Sequence, residues 1–365
     1  MSARNNLLIS TAILASVFLL GACGDGANET AQTEQEASPV APPPTNVAYI
    51  SNEEGGIDVL DLETMTFVKQ FAAGERPRGL AVTEDGRHLL VANGKTNDMS
   101  VIDTTTGEEA HRIDLGPNPE FLRVYGNTAY VTYEPGGRRT EEREDRDFEN
   151  EPPAEIAVVD LTTWTMTKSV PSGLETEGLE FSSDGAYIVT TNEGDETISV
   201  YERETGAEVK TISTRAYGKR PRGIKVAPDG SGYAVTAETS SDLLLLDNDF
   251  NVVKSVKTKT GPNGVAYDPT GQYLLVTAAR DGLLQMYDAK TLEVIKEVPI
   301  GRRCWHFTYT PDGSKIIVVC GRSHDLHVID AQDFTPISTL PGLTLPWGIV
   351  TYPTTRGSLD EPRNN

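Results

Sequence analysis

Cysteine is scarce: three residues in a chain of 365 cannot build a disulfide scaffold. No Cys-x-x-Cys-His phrase is present, which excludes covalent attachment of a c-type haem. Basic residues are also few, with 32 Lys and Arg against 54 Asp and Glu, a formal charge of −22. Such a surface repels phosphate, so nucleic acid is excluded as a partner, as is a basic membrane-binding face. Beyond Leu20 no apolar run is long enough to span a bilayer. No nucleophile elbow or Ser-His-Asp phrase appears, and Asp145-Arg146-Asp147 lacks the spacing of a calcium loop.

What is present is a repeat. Arg222-Gly223-Ile224-Lys225-Val226 is a short strand that runs through Ala227 into a Pro228-Asp229-Gly230 turn. Tyr233-Ala234-Val235-Thr236-Ala237 follows, and Leu243-Leu244-Leu245-Leu246 ends on Asp247. The turn makes a hairpin of the first two strands and the third extends it to a meander. The same unit starts at Gly79, Phe121, Gly178, Gly223, Gly264, His306 and Gly348, with gaps of 42, 57, 45, 41, 42 and 42 residues. Four strands repeating every 40–45 residues or so predict a β-propeller. The chain enters mid-unit, at Tyr49-Ile50-Ser51-Asn52, and ends on a lone first strand, Trp347 to Tyr352. That final strand is expected to complete the N-terminal blade, giving an all-β, seven-bladed propeller with no open edge at the seam.

Residues 1–22 read as a signal peptide: Arg4 is the positive start and Leu7 to Leu20 the apolar stretch. Leu20-Gly21-Ala22-Cys23 resembles a bacterial lipobox, which implies lipidation at Cys23; an ordinary signal peptide is the alternative. Gly24 stands where inner-membrane lipoproteins carry Asp, so the resemblance implies the periplasmic side of the outer membrane, with the lipid as the sole membrane contact. Residues 23–45 are polar and proline-rich, a flexible tether ahead of the propeller at 46–353 and a tail at 354–365. The long gap in the repeat is one insertion, 134–153, with eight acidic residues and four Arg. It reads as a solvated loop or as a flap that docks a partner.

The second strands, such as Tyr130-Val131-Thr132-Tyr133 and Ile188-Val189-Thr190-Thr191-Asn192, resemble those of YVTN-type propellers across roughly residues 46 to 352. Arg220-Pro221-Arg222-Gly223-Ile224, Gly301-Arg302-Arg303-Cys304-Trp305-His306 and Leu345-Pro346-Trp347-Gly348 resemble the β-propeller proteins associated with PQQ-dependent alcohol catabolism. That likeness implies a periplasmic accessory protein.

First strands line a propeller's channel, so the residue before each start is expected to ring one mouth. The ring is Arg78, Glu120, Glu177, Arg222, Asn263, Trp305 and Trp347, with His306 in place of a glycine. Arg suits planar carboxylates and Trp offers a stacking wall, so the expected guest is a small anionic or aromatic ligand, or a loop of a periplasmic protein. The competing expectation is that opposed charges pair across the channel for structural reasons. Cys304 and Cys320 flank one hairpin and are expected to face each other as a possible disulfide. With His306, His324 and His327 they match no zinc spacing, and neither metal nor cofactor is expected. As an enzyme the chain would be a metal-assisted lactonase using Glu120, Glu177 and Asn263, with Glu193 and Glu238 in reserve. A haem-binding propeller would need axial histidines, and His306 is the single candidate at the mouth.

Overall fold

The computed structural model describes residues 41–136 and 151–361. Cys23, the signal segment, the tether up to residue 40, the centre of the insertion and residues 362–365 lie outside them. Among the described residues, twenty-eight strands form seven four-stranded antiparallel sheets, set as blades in a ring. Pro346–Tyr352 pairs with Val47–Asn52, Ile349 opposite Ile50, so the last strand closes the first blade as the split repeat predicts.

The strands differ by position because burial differs. Second strands are sandwiched between neighbouring blades and read as unbroken apolar runs; His88–Asn93 is buried along nearly its whole length. Outermost strands face water on one side and alternate, as Val252–Lys257 does. Six of the seven third strands end on Asp, a carboxylate that caps the following turn: Asp288 Oδ1 accepts from the Thr291 amide at 2.7 Å, and Asp330 Oδ1 from Asp333 at 2.7 Å.

Innermost strands converge on the axis, and at five of the seven starts glycine leaves room for the next blade. A Cβ at Gly178 would sit 2.3 Å from the Arg222 carbonyl oxygen, and one at Gly223 2.3 Å from that of Asn263. Cys304 and Cys320 are register partners on the first two strands of their blade and are joined by a disulfide.

Residues 354–361, set apart from the ring on sequence, run into the lower end of the channel. Ser358 hydrogen-bonds Thr308, the Leu359 amide donates to Ile349, and the Val82 amide donates to Asp360 at 2.7 Å. Among the described residues no helix is long and apolar enough to cross a membrane.

Candidate functional site

The upper end of the channel, where innermost strands begin, opens into a cavity of about 550 Å³. Three sets of side chains line it, each repeating with the blades. The ring expected from sequence contributes Arg78, Glu120, Glu177, Arg222 and Trp305. A second set lies two residues earlier: Arg76, Asn118, Glu175, Arg220 and Arg303. Each of these has a left-handed backbone, with φ between 51° and 59°. That turn aims the side chain into the mouth instead of along the strand. The third set follows the second strands and includes Glu134, Glu193 and Glu238, with Arg280 and Arg322 one residue further on.

The charges pair between blades. Arg78 Nε lies 2.5 Å from Glu53 Oε1, and its guanidinium also pairs with Glu120. Arg222 is the hub, 3.0 Å from Glu177, 2.7 Å from Glu193 and 3.2 Å from Glu238. Burial works against the Arg222 charge, but those three carboxylates outweigh it and hold the guanidinium protonated. Burial pushes Glu193 up to about 7 even against Arg222 and Arg220. Burial also raises Glu134 to about 7, aided by the nearby charge of Glu177.

The mouth is not balanced all round. Arg303 and Arg280 share a single carboxylate, Glu238, at 3.0 and 3.4 Å, and it already serves Arg222. Arg322 makes no ion pair among the described residues and is exposed. The Arg303 guanidinium lies 5.9 Å from the centre of the Trp305 ring. Beside the Trp305 indole, then, stand three Arg of which two share one carboxylate and the third makes no ion pair among the described residues, an excess of positive charge.

Asn263, His306 and Trp347 do not reach this cavity. They lie one layer down, in a narrow chamber with Phe121, Phe307 and Leu359. The charged heads above are held by one another, Arg78 by Glu53 and Glu120, whereas the Trp347 indole, 1% exposed, packs beneath Arg78 with the guanidinium 5.3 Å from its ring centre. His306 donates or accepts at Nδ1 with the Trp347 carbonyl at 2.8 Å; the carbonyl can only accept, so Nδ1 carries the proton. Burial drives the His306 pKa down to about 3, and the ring is neutral.

The set two residues ahead of the expected ring repeats with the same period as the ring, so its positions are legible in the sequence; its left-handed turn conformation is not. Cys320, Asp325 and His327 bring ligand-type atoms together, but the Cys320 sulfur is tied in the disulfide and offers no thiolate.

Comparison with known proteins fits this architecture. Residues 154–251 match the family model described as lactonase, 7-bladed β-propeller. The chain is 23% identical over 328 residues to the dihydro-heme d1 dehydrogenase of Pseudomonas aeruginosa, covering 77% of this chain and 65% of that protein. It is 23% identical over 313 residues to protein NirF of the same organism, covering 80% and 77%. The periplasmic gluconolactonase of P. aeruginosa superposes with a TM-score of 0.66 at 16% identity, covering 83% of this chain and 98% of that one. At these identities the likeness is one of fold: the chain is a seven-bladed β-propeller similar to those of the lactonase and NirF type.

Proposed function

We propose that the chain is a non-enzymatic binding or scaffold propeller of the bacterial envelope, whose upper mouth takes a small organic anion with an aromatic or planar body. The observation that carries this reading is the sector of Arg280 and Arg303, which share Glu238, and of Arg322, which makes no ion pair among the described residues, set against Trp305. The lipobox at Cys23 supports anchoring by a lipid, and the phrases around Arg222, Trp305 and Trp347 support service to PQQ-dependent alcohol oxidation.

The lactonase reading is less supported. Its carboxylates are committed to arginines: Glu120 to Arg78, Glu177 to Arg222, Glu193 to Arg220 and Arg222, and Glu238 to three guanidiniums. A cation placed among them faces those Arg as well. The similar P. aeruginosa dehydrogenase is named for action on dihydro-heme d1. A macrocycle held through His306 does not fit here. The Nδ1–H is given to the Trp347 carbonyl, and the chamber left around the ring is only about 30 Å³, far too small for a macrocycle.

Native mass spectrometry on protein purified from its own envelope tests the proposal. A stoichiometric organic anion, lost in an Arg303→Gln, Arg322→Gln variant, is the expected result. An empty mouth with a bound protein partner instead would move the function to the insertion at 134–153.

A further inference from the structure

We infer that the anion bound at the mouth carries a hydroxyl at the end opposite its acid group, and that the chamber below is built to receive that hydroxyl. The inference rests on the anion-binding reading of the mouth. Glu177, Arg222 and Trp305 line both spaces, so the chamber opens directly under the mouth. Its volume, about 30 Å³, suits one water-sized group.

The walls are mostly apolar, yet two buried polar atoms lack any partner: Asn263 Oδ1, on a residue 2% exposed, and Trp347 Nε1, on one 1% exposed. The amide orientation of Asn263 is set by its Nδ2, which donates to the Gly261 carbonyl at 3.1 Å. The atom left without a partner is therefore the oxygen, an acceptor. The indole N–H is only a donor. His306, protonated at Nδ1, adds an acceptor at Nε2.

A guest must then donate and accept within one small volume. A second carboxylate accepts only, an ammonium donates only, and a methyl does neither. A hydroxyl does both. Sites that leave buried polar groups unpaired when the guest lacks a hydroxyl discriminate strongly against that guest.

The test measures binding of the purified full-length chain to matched acids by tryptophan fluorescence and calorimetry. The probes are benzoate, phenylacetate and cinnamate, each with its 4-hydroxy and 4-methyl analogue. In at least one series the hydroxyl should tighten binding by about tenfold or more, and the methyl should weaken it. In Trp347→Phe, which keeps the aromatic shape but loses the N–H, the hydroxyl and unsubstituted acids should bind within about twofold of each other. Acids that bind with Arg303 dependence but gain nothing from a hydroxyl would overturn this inference and leave the mouth reading standing; the chamber is then a water site. If no acid binds, both fall.

Discussion

At the scale of single residues, His306 shows how one side chain can replace a repeated device. In three other blades a hydroxyl on the second strand donates to the backbone of the next blade: Ser51 to the Arg78 carbonyl at 2.7 Å, Thr191 to Arg222 at 2.5 Å and Thr236 to Asn263 at 2.7 Å. The register partner of His306 is Val319, which has no hydroxyl, and the imidazole takes the Trp347 carbonyl instead. His306→Gly is therefore expected to cost on the order of 2–4 kcal/mol, from an unpaired carbonyl and a cavity. Adding Val319→Thr should recover about 1 kcal/mol, measured by chemical denaturation. No recovery would mean that the ring is there for another purpose. The neutral state matters too. The His306 pKa, ordinarily 6.5, is depressed to about 3, so its contribution is present above 6.5 and is lost as pH falls toward 3.

At the scale of elements, the blades are laced together on their outer rim. Lysines on outermost strands donate to turn carbonyls of the next blade: Lys168 to Glu204 at 2.5 Å, Lys210 to Asp249 at 2.6 Å, Lys254 to Thr291 at 2.6 Å, and Lys296 to Asp333. At the equivalent place in the second blade, His111 stacks on Trp164 with ring centres 4.9 Å apart. These contacts are exposed and weak singly, so Lys210→Met should lower stability by about 1 kcal/mol or less. Replacing Lys168, Lys210, Lys254 and Lys296 together should add their costs, because the sites are far apart. A thermal melt of the single and fourfold variants checks this. A fourfold loss no larger than the single one would show that the rim plays no part.

At the scale of the whole molecule, residues 354–361 tie distant blades across the lower channel. Glu361 lies 3.3 Å from Lys225 and 2.6 Å from Arg356, and Arg123 donates to its backbone carbonyl at 3.1 Å. Asp360 is different: burial pushes its carboxyl from 3.8 up to about 7, only partly offset by the Val82 amide. An acid raised on folding stabilises fully below its unfolded value and loses that stabilisation as pH rises through 7. Asp360→Asn should therefore melt higher than the parent above pH 7, with the gain gone at about pH 4. An advantage independent of pH would rule out this ionisation as the cause. Glu361 runs the other way. Burial is outweighed there by Lys225 and Arg356, so its contribution holds above its ordinary 4.5 and fades as acid is added.

The sequence by itself determined the blades. Strand alternation, Asp-Gly turns and the 42-residue period are local signals, and the split first repeat dictated how the ring closes. It also located Arg78, Glu120, Glu177, Arg222 and Trp305 at one opening, since their place in the period carries over to their place on the axis. Only the tertiary structure decided which charges meet. Arg303 and Glu238 are 65 residues apart, and Lys225 and the Ser358 carbonyl 133, and their contact depends on how blades and channel-filling segment pack. It also decided that Asn263, His306 and Trp347 sink below the mouth and that residues 354–361 enter the channel. A period records which strand a residue sits on. The direction of its side chain depends on whether a buried charge finds its counter-charge and an apolar ring leaves water, and that is settled only once all seven blades are in place.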